Sequence, residues 1–242
     1  MDIAVLNNIR AIAFDLDGTL VDSAPDIHHA LNVGLLDAGL DAVDLDTTRS
    51  WVGGGPDLLI RRALAHFGIA DPDGRLQARL RQRFDDATLA SPLSHGSVYD
   101  GIAEMIEGLY APFPLAVVTN KPTHLARAVL GAAGLLPFIS SVHGGDRTEH
   151  LKPSPALLLA AGQQLHVKPD QLLMVGDSSA DLLAARAAGC PVVLVGWGYG
   201  AHALPDGIEP WHVGSPLQLL REMVSRFEEE DRAPVTSGRR KD

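Results

Sequence analysis

The chain is poor in cysteine and has no long apolar run. Cys190 is the only cysteine among 242 residues, so no disulfide framework can form within the chain, as expected for a protein of a reducing cytoplasm. No apolar stretch reaches the roughly 18 to 20 residues of a membrane-spanning helix. The N-terminal sequence MDIAVLNNIR lacks the basic segment and apolar run of a signal peptide. We therefore expect a cytoplasmic protein without a membrane partner.

Positive charge is also scarce. The 20 lysines and arginines are outnumbered by 30 acidic residues, and the formal net charge is −10 at pH 7. This balance argues against a nucleic-acid partner, which would require a basic face. An anionic small-molecule substrate would need local positive charge or a metal ion. The hydrophobic content of 46% is enough for a core domain with a smaller second domain.

One stretch, FDLDGTLVDS, organises the rest of the chain. An apolar run that ends at Phe14 predicts a short strand, and Asp15 and Asp17 follow it, before Gly18 and Thr19 turn the chain. Two carboxylates this close repel each other unless a cation or a proton separates them. Such a pair suits phosphoryl transfer, in which one carboxylate attacks phosphorus and the other moves protons. An Asp-rich turn without chemistry is the alternative.

Polar residues recur where later strands are predicted to end. The predicted strand PLAVVT ends at Thr119 and Asn120 follows it, and a hydroxyl and an amide beside a helix N-terminus can bind phosphate. Lys152 precedes a proline-started helix and could serve as a point charge for phosphate. Asp177 and Asp181 follow QLLMVG, and carboxylate oxygens suit Mg²⁺. Each feature alone could be a helix cap or a surface residue, but together they indicate one site.

The order of the predicted elements gives the fold class. Strands and helices alternate in the second half of the chain, which predicts an α/β fold with a doubly wound parallel sheet. The predicted core elements are strands at 9–14, 114–119, 138–142, 171–176 and 191–195, and helices at 102–109, 122–134, 154–165, 178–188 and 215–227. The pattern of residues 21–94 predicts only helices, which would form a cap domain inserted into the core. The catalytic core then comprises 1–20 and 95–227, and the charged segment 228–242 predicts a disordered tail.

The motifs at the ends of the predicted strands are similar to those of the haloacid dehalogenase-like phosphohydrolases, and the chain resembles that superfamily. The matching features are DLDGT at 15–19, Thr119 at a strand end, Lys152 in KPSP, GDSSAD at 176–181 and the helical insertion after the first motif. Within that superfamily, SWVGGGPDLLIRRAL at 50–64, VTNKP and GWGYG at 196–200 resemble phosphoglycolate phosphatases. The GWGYG segment is either a loop at the rim of the site or merely a turn.

The resemblance implies a division of roles among the acidic residues. Asp15 would be the nucleophile that forms an aspartyl-phosphate, and Asp17 would be the general acid and base. Mg²⁺ would be held by the carboxylates of Asp15 and Asp177 and by the backbone carbonyl of Asp17. Asp181 would either orient Lys152 or support the metal site.

The resemblance also implies a substrate and its contacts. The expected phosphate and substrate ligands are Gly18, Thr19, Thr119, Asn120, Lys152, Gly54 and Arg62. The cap residue Arg62, or less favourably Arg61 or Arg49, could meet the carboxylate of 2-phosphoglycolate, which would be hydrolysed to glycolate and phosphate. The alternative for these arginines is that they are solvated or pair with acidic residues of the cap. A sugar-phosphate or nucleotide phosphatase, a phosphoryl-transferring mutase and a non-catalytic binding protein are the alternatives, with the mutase disfavoured by Thr19. The oligomeric state, monomer or homodimer, stays open.

Overall fold

The computed structural model of the protein describes residues 3–200 and 211–232. The strands are β1 (Ala11–Phe14), β2 (Val21–Asp22), β3 (Ser97–Val98), β4 (Leu115–Val118), β5 (Ser141–His143), β6 (Leu172–Gly176), β7 (Val192–Val195) and β8 (Trp211–Val213). The helices are α1 (Ile3–Asn8), α2 (Ala24–Asp37), α3 (Leu45–Trp51), α4 (Pro56–His66), α5 (Arg75–Ala90), α6 (Ile102–Tyr110), α7 (Thr123–Ala132), α8 (Ala156–Gln164), α9 (Ser179–Ala188) and α10 (Pro216–Arg232). None of these helices is long and apolar enough to cross a bilayer.

A six-stranded parallel sheet forms the centre of the fold, in the order β5-β4-β1-β6-β7-β8. The central strands β1, β4 and β6 are buried on both faces, as their continuous apolar sequences require. Ala11 and Ala13 face α8 and α9, whereas Ile12 and Phe14 face α6, α7 and α10. The predicted doubly wound α/β fold is thereby confirmed.

The segment between β2 and β3 contains the four helices α2 to α5. Their inward apolar residues, including Leu31, Leu59, Ile60 and Phe84, form a buried cluster separate from those beside the sheet. Leu125 of α7 joins this cluster, so the helical segment packs against the core. The division of the chain into a core and a cap, with its predicted boundaries, stays a prediction.

Several short elements differ from the sequence-based expectation. The strand predicted at 138–142 begins later, at Ser141, because a 3₁₀ turn that contains Pro137 occupies Leu136–Phe138. The antiparallel pair β2 and β3, which links the helical segment to the core, was not predicted, nor were α1 and β8. Two- and three-residue strands are too short to show alternation. Helix α10 continues through 228–232, and the rest of the predicted tail lies outside the described residues.

Candidate active site

The candidate site lies where three neighbouring strands end. Asp15 follows β1, Thr119 follows β4 and Asp177 follows β6. Strands β4 and β6 pair with opposite edges of β1, so the strand order reverses at β1. Ligands of open α/β sheets bind in the crevice at such a reversal, beyond the carboxyl ends of the strands. Residues that are far apart in the chain therefore meet at one edge of the sheet.

Lys152 lies at the centre of this edge. Its Nζ is 2.8 Å from Oδ1 of Asp15 and 2.6 Å from Oδ1 of Asp181, and it donates a 3.0 Å hydrogen bond to the carbonyl oxygen of Val118. Burial alone lowers the pKa of Lys152, but the charges of Asp15 and Asp181 outweigh this effect and raise that pKa. The ammonium group therefore stays charged inside the protein.

Three carboxylates surround this lysine. Each of Asp15, Asp177 and Asp181 contributes an oxygen, and these oxygens all lie within 4.8 Å of one another. Burial raises the pKa of Asp15 to about 7 despite Lys152, and the charges of Asp181 and Asp177 act in the same direction. Burial and the charge of Asp181 likewise raise the pKa of Asp177 to about 6.

The donor set of this cluster fits a divalent cation. Three carboxylates against one ammonium leave two negative charges in a buried space. Oxygen ligands are those preferred by hard cations such as Mg²⁺. Burial, together with the neighbouring carboxylates, raises the pKa values of Asp15 and Asp177, and a bound divalent cation would neutralise the excess negative charge of the cluster.

Asp181 makes further contacts that fix its orientation. Its Oδ2 accepts hydrogen bonds from the backbone N–H and the hydroxyl of Ser178, at 3.0 and 2.6 Å. Its Oδ1 faces Lys152, and the side chain is fully buried. Both oxygens are thus engaged, and the predicted role of Asp181, to orient Lys152 or to support the metal site, stays a prediction.

Asp177 is held by contacts from two loops. Thr19 donates its hydroxyl to Oδ1 at 3.2 Å, and the backbone N–H groups of Tyr199 and Gly200 donate to Oδ2 at 2.7 and 3.0 Å. Gly18 has φ +86°, and a Cβ there would lie 2.5 Å from Oδ2 of Asp177. Glycine at position 18 therefore permits both the turn and the close approach of the loop to this carboxylate.

The GWGYG segment at 196–200 is a loop at the site. The hydroxyl of Tyr199 donates to Oδ1 of Asp22 at 2.7 Å and accepts from the N–H of Ala24 at 2.9 Å. The indole N–H of Trp197 donates to the carbonyl oxygen of Thr19 at 3.0 Å. The loop therefore connects Asp177 to the chain segment that enters the helical region.

The carboxylate of Asp17 lies outside the three-carboxylate cluster. Lys121 donates from Nζ to both carboxylate oxygens of Asp17, each at 2.9 Å, and the hydroxyl of Ser23 donates to Oδ1. The sequence motifs do not predict a role for Lys121 or Ser23 at the site. The available signal for Lys121 was its position in VTNKP, between a strand end and the start of a helix.

Asn120 connects the core to the helical segment. Its side-chain N–H group donates to the carbonyl oxygens of Gly53 at 2.9 Å and Lys152 at 3.1 Å. Its side-chain oxygen accepts from the N–H of Lys152 at 2.7 Å. These contacts position the Lys152 loop and hold the glycine loop of the helical segment against the core. A phosphate contact by Asn120 stays a prediction.

A cavity of about 40 Å³ lies beside the site. The core side contributes Asp15, Asp17, Thr119, Asn120 and Lys121, and the helical segment contributes mainly apolar side chains, among them Trp51, Leu59 and Phe84. The predicted ligands Gly54 and Arg62 are not among the described residues that line this cavity. Gly54 lines a neighbouring cavity of about 420 Å³, together with Arg61. Arg62 donates from Nη1 to the carbonyl oxygen of Trp51 at 2.8 Å.

The family model of haloacid dehalogenase-like hydrolases matches residues 12–195, which include Asp15, Thr119, Lys152 and Asp177 but not the loop at 196–200. The chain belongs to this family. A protein of Chromobacterium violaceum named phosphoglycolate phosphatase is 40% identical to this chain over 80% of this chain and 88% of that protein. A Rhodospirillum rubrum protein of the same name is 43% identical over 78% of this chain and 80% of that protein.

A solved structure from the same family has a closely similar fold. A protein of Haemophilus somnus 129PT, described as a predicted phosphoglycolate phosphatase, superposes with a TM-score of 0.80 at 31% identity. The match covers 89% of this chain and 98% of that protein. The resemblance expected from the sequence motifs is confirmed, and this haloacid dehalogenase-like hydrolase is an enzyme.

Proposed function

We propose that this hydrolase is a Mg²⁺-dependent phosphatase that converts 2-phosphoglycolate to glycolate and phosphate through an aspartyl-phosphate on Asp15. The observation that carries the proposal is the buried cluster of Asp15, Asp177 and Asp181 around Lys152, of which Asp15 also lines a small cavity. The substrate is suggested by the relatives that share up to 43% identity and are named for it.

The metal would be held by the carboxylates of Asp15 and Asp177 and by the backbone carbonyl of Asp17. When bound, the cation supplies positive charge that draws the phosphate oxygens to the site and offsets charge in the transition state. Lys152 supplies a second, fixed positive charge at the same place, since Asp181 and Val118 hold its ammonium group. Thr119, Asn120 and the Gly18–Thr19 turn complete the proposed phosphate contacts.

Asp15 is arranged to act as the nucleophile. Its Oδ1 accepts from the N–H of Leu16 at 2.7 Å and faces Lys152, so one oxygen is held in place. The second oxygen attacks phosphorus, and the bond from phosphorus to the ester oxygen breaks. Asp17 gives its proton to that departing oxygen, which leaves as the hydroxyl of glycolate.

Asp17 then serves as the base. Its carboxylate takes a proton from a water molecule, whose oxygen attacks phosphorus. The bond between phosphorus and Asp15 breaks, which releases phosphate and restores both carboxyl groups. Such general acid and base assistance is typically worth about 10²- to 10⁴-fold in rate.

The cavity favours a short substrate over a sugar phosphate or a nucleotide. Its volume of about 40 Å³ has room for only a few water molecules. The contact of Asn120 with Gly53 holds the helical segment over this space. A hexose or a nucleoside would need that segment to move away, whereas a two-carbon acid would need much less room.

A substrate panel tests the proposal directly. Phosphate release from 2-phosphoglycolate, sugar phosphates and nucleotides should be ranked by kcat/KM with Mg²⁺ and with chelator. We expect 2-phosphoglycolate to rank first and chelator to abolish turnover. Free phosphate without an isomerised product excludes the mutase, and absence of turnover on every substrate would support a binding protein.

A matched pair of variants tests the nucleophile. Asp15→Asn removes the attacking oxyanion with almost no change in size, and we expect nearly complete loss of turnover. Asp41→Asn makes the same chemical change at an exposed loop position and should retain full turnover. Substantial activity in Asp15→Asn would show that the nucleophile is misassigned.

A further inference from the structure

Lys121 is a buried cation whose partner lies at the reacting end of the cavity. Its side chain is 6% exposed, and its Nζ lies 2.9 Å from both carboxylate oxygens of Asp17. Among the described residues that line the cavity, Lys121 is the only cation. Lys152 instead lies behind Asp15, in the carboxylate cluster.

The proposed substrate brings a negative charge that this end of the cavity must accommodate. Besides its phosphate, 2-phosphoglycolate carries a carboxylate one carbon from the ester oxygen. Asp15 and Asp17 already line the cavity with negative charge, and most of the remaining lining is apolar. A second substrate anion in such surroundings is costly unless a cation pairs with it.

The three arginines of the helical segment that the sequence proposed for this role, Arg49, Arg61 and Arg62, do not line the cavity. Arg62 donates to the carbonyl oxygen of Trp51, and Arg61 lines the neighbouring, larger cavity. Arg49 lies 3.7 Å from Asp46 in a solvent-exposed pair. The cation that lines the cavity, among the described residues, is therefore Lys121 on the core side.

We propose that Lys121 binds the carboxylate of the substrate and so selects short phosphorylated hydroxy acids, an inference that rests on the proposed function. Asp17 must contact the ester oxygen in order to protonate it, and the carboxyl carbon is two bonds beyond that oxygen. An ammonium group 2.9 Å from the oxygens of Asp17 is within reach of the same region. The substrate carboxylate then accepts from Nζ alongside Asp17 or in its place.

A purely structural role for Lys121 predicts something different. If the lysine only positions Asp17, its loss slows every phosphate ester to a similar degree. If it binds the substrate carboxylate, its loss slows carboxylated esters much more than uncharged ones. The ratio of kcat/KM values for two substrates therefore separates the two roles and cancels any general damage to the enzyme.

The test compares 2-phosphoglycolate with ethyl phosphate, which has a methyl group where the carboxylate stands. Lys121→Met keeps the length of the side chain and removes its charge. We expect the preference of the wild type for 2-phosphoglycolate to fall by about 10- to 100-fold in this variant, the range for a lost hydrogen bond to a charged partner. Lys168→Met is the matched control at an exposed position, and we expect it to retain the preference.

Three outcomes separate this proposal from the function on which it rests. An unchanged ratio in Lys121→Met, with wild-type preference for 2-phosphoglycolate, overturns the role of Lys121 alone. Collapse of the ratio in Arg62→Met instead of Lys121→Met also overturns it. A wild type without any preference for the carboxylated ester overturns both proposals.

Lys121→Arg, which keeps the charge, should keep more of the preference than Lys121→Met, and the reverse order counts against the proposal.

Discussion

Magnesium is expected to stabilise this protein much more at pH 8 than at pH 5. Asp15 and Asp177 have folded-state pKa values of about 7 and about 6, against an ordinary value of 3.8. Without metal, the folded protein therefore binds more protons than the unfolded chain between about pH 4 and pH 7. By linkage, the contribution of these groups to stability falls as the pH rises through that window and is lowest above about pH 7.

The size of the effect follows from the pKa values. Each pKa unit corresponds to about 1.4 kcal/mol, so ionising Asp15 and Asp177 without a cation costs about 4 and 3 kcal/mol. Magnesium must displace those protons, so its apparent affinity falls by up to about 100-fold per pH unit below pH 6 and about tenfold between pH 6 and 7. At saturating Mg²⁺, the stabilisation that the metal provides should increase by about 4 kcal/mol from pH 5 to pH 8. This increase corresponds to roughly 8–16 °C in Tm.

Thermal unfolding with Mg²⁺ or with chelator at matched ionic strength measures this effect. The Mg²⁺-induced rise in Tm should grow from pH 5 to about pH 7 and then level off. Asp177→Asn keeps the shape of the side chain and removes one of the charges. Without metal at pH 8, that variant should be more stable than the wild type, by up to about 3 kcal/mol, and Mg²⁺ should stabilise it little. A Tm shift that is equal at pH 5 and pH 8 would refute the reasoning.

Three further substitutions test contacts around the site. Tyr199→Phe removes the hydroxyl that bridges Asp22 and the N–H of Ala24, so we expect a loss of about 1–3 kcal/mol in thermal unfolding. The Mg²⁺ concentration for half-maximal activity should rise more than KM, and an unchanged Mg²⁺ requirement would contradict the link to the metal site. Gly18→Ala places a methyl group against Asp177 at a backbone position with positive φ, so both Tm and Mg²⁺ affinity should fall. Wild-type values for both would contradict the close approach of this loop to the Asp177 carboxylate. Asn120→Ala leaves the buried N–H of Lys152 without its acceptor, so turnover should fall. The loss should be smaller than in Asp15→Asn. Unaltered turnover would contradict a positioning role for Asn120.

The sequence by itself determined the sheet and the residues at its edge. Each central strand is a short apolar run, and a polar residue follows it directly. These residues are Asp15, Thr119 and Asp177. Because parallel strands place their carboxyl ends on one side, local pattern alone predicted that these residues would meet. Strands β2, β3 and β8 escaped prediction because two or three residues carry no periodic pattern.

The tertiary structure decided which partners the polar side chains take. Lys121 pairs with Asp17 across 104 positions of sequence, and the side chain of Asn120 binds the backbone of Lys152 and Gly53. Arg62 has the charge for a substrate carboxylate, but its guanidinium donates within the helical segment. The physical reason is that a long polar side chain takes the partner that packing brings within about 3 Å, and chain spacing does not encode that distance.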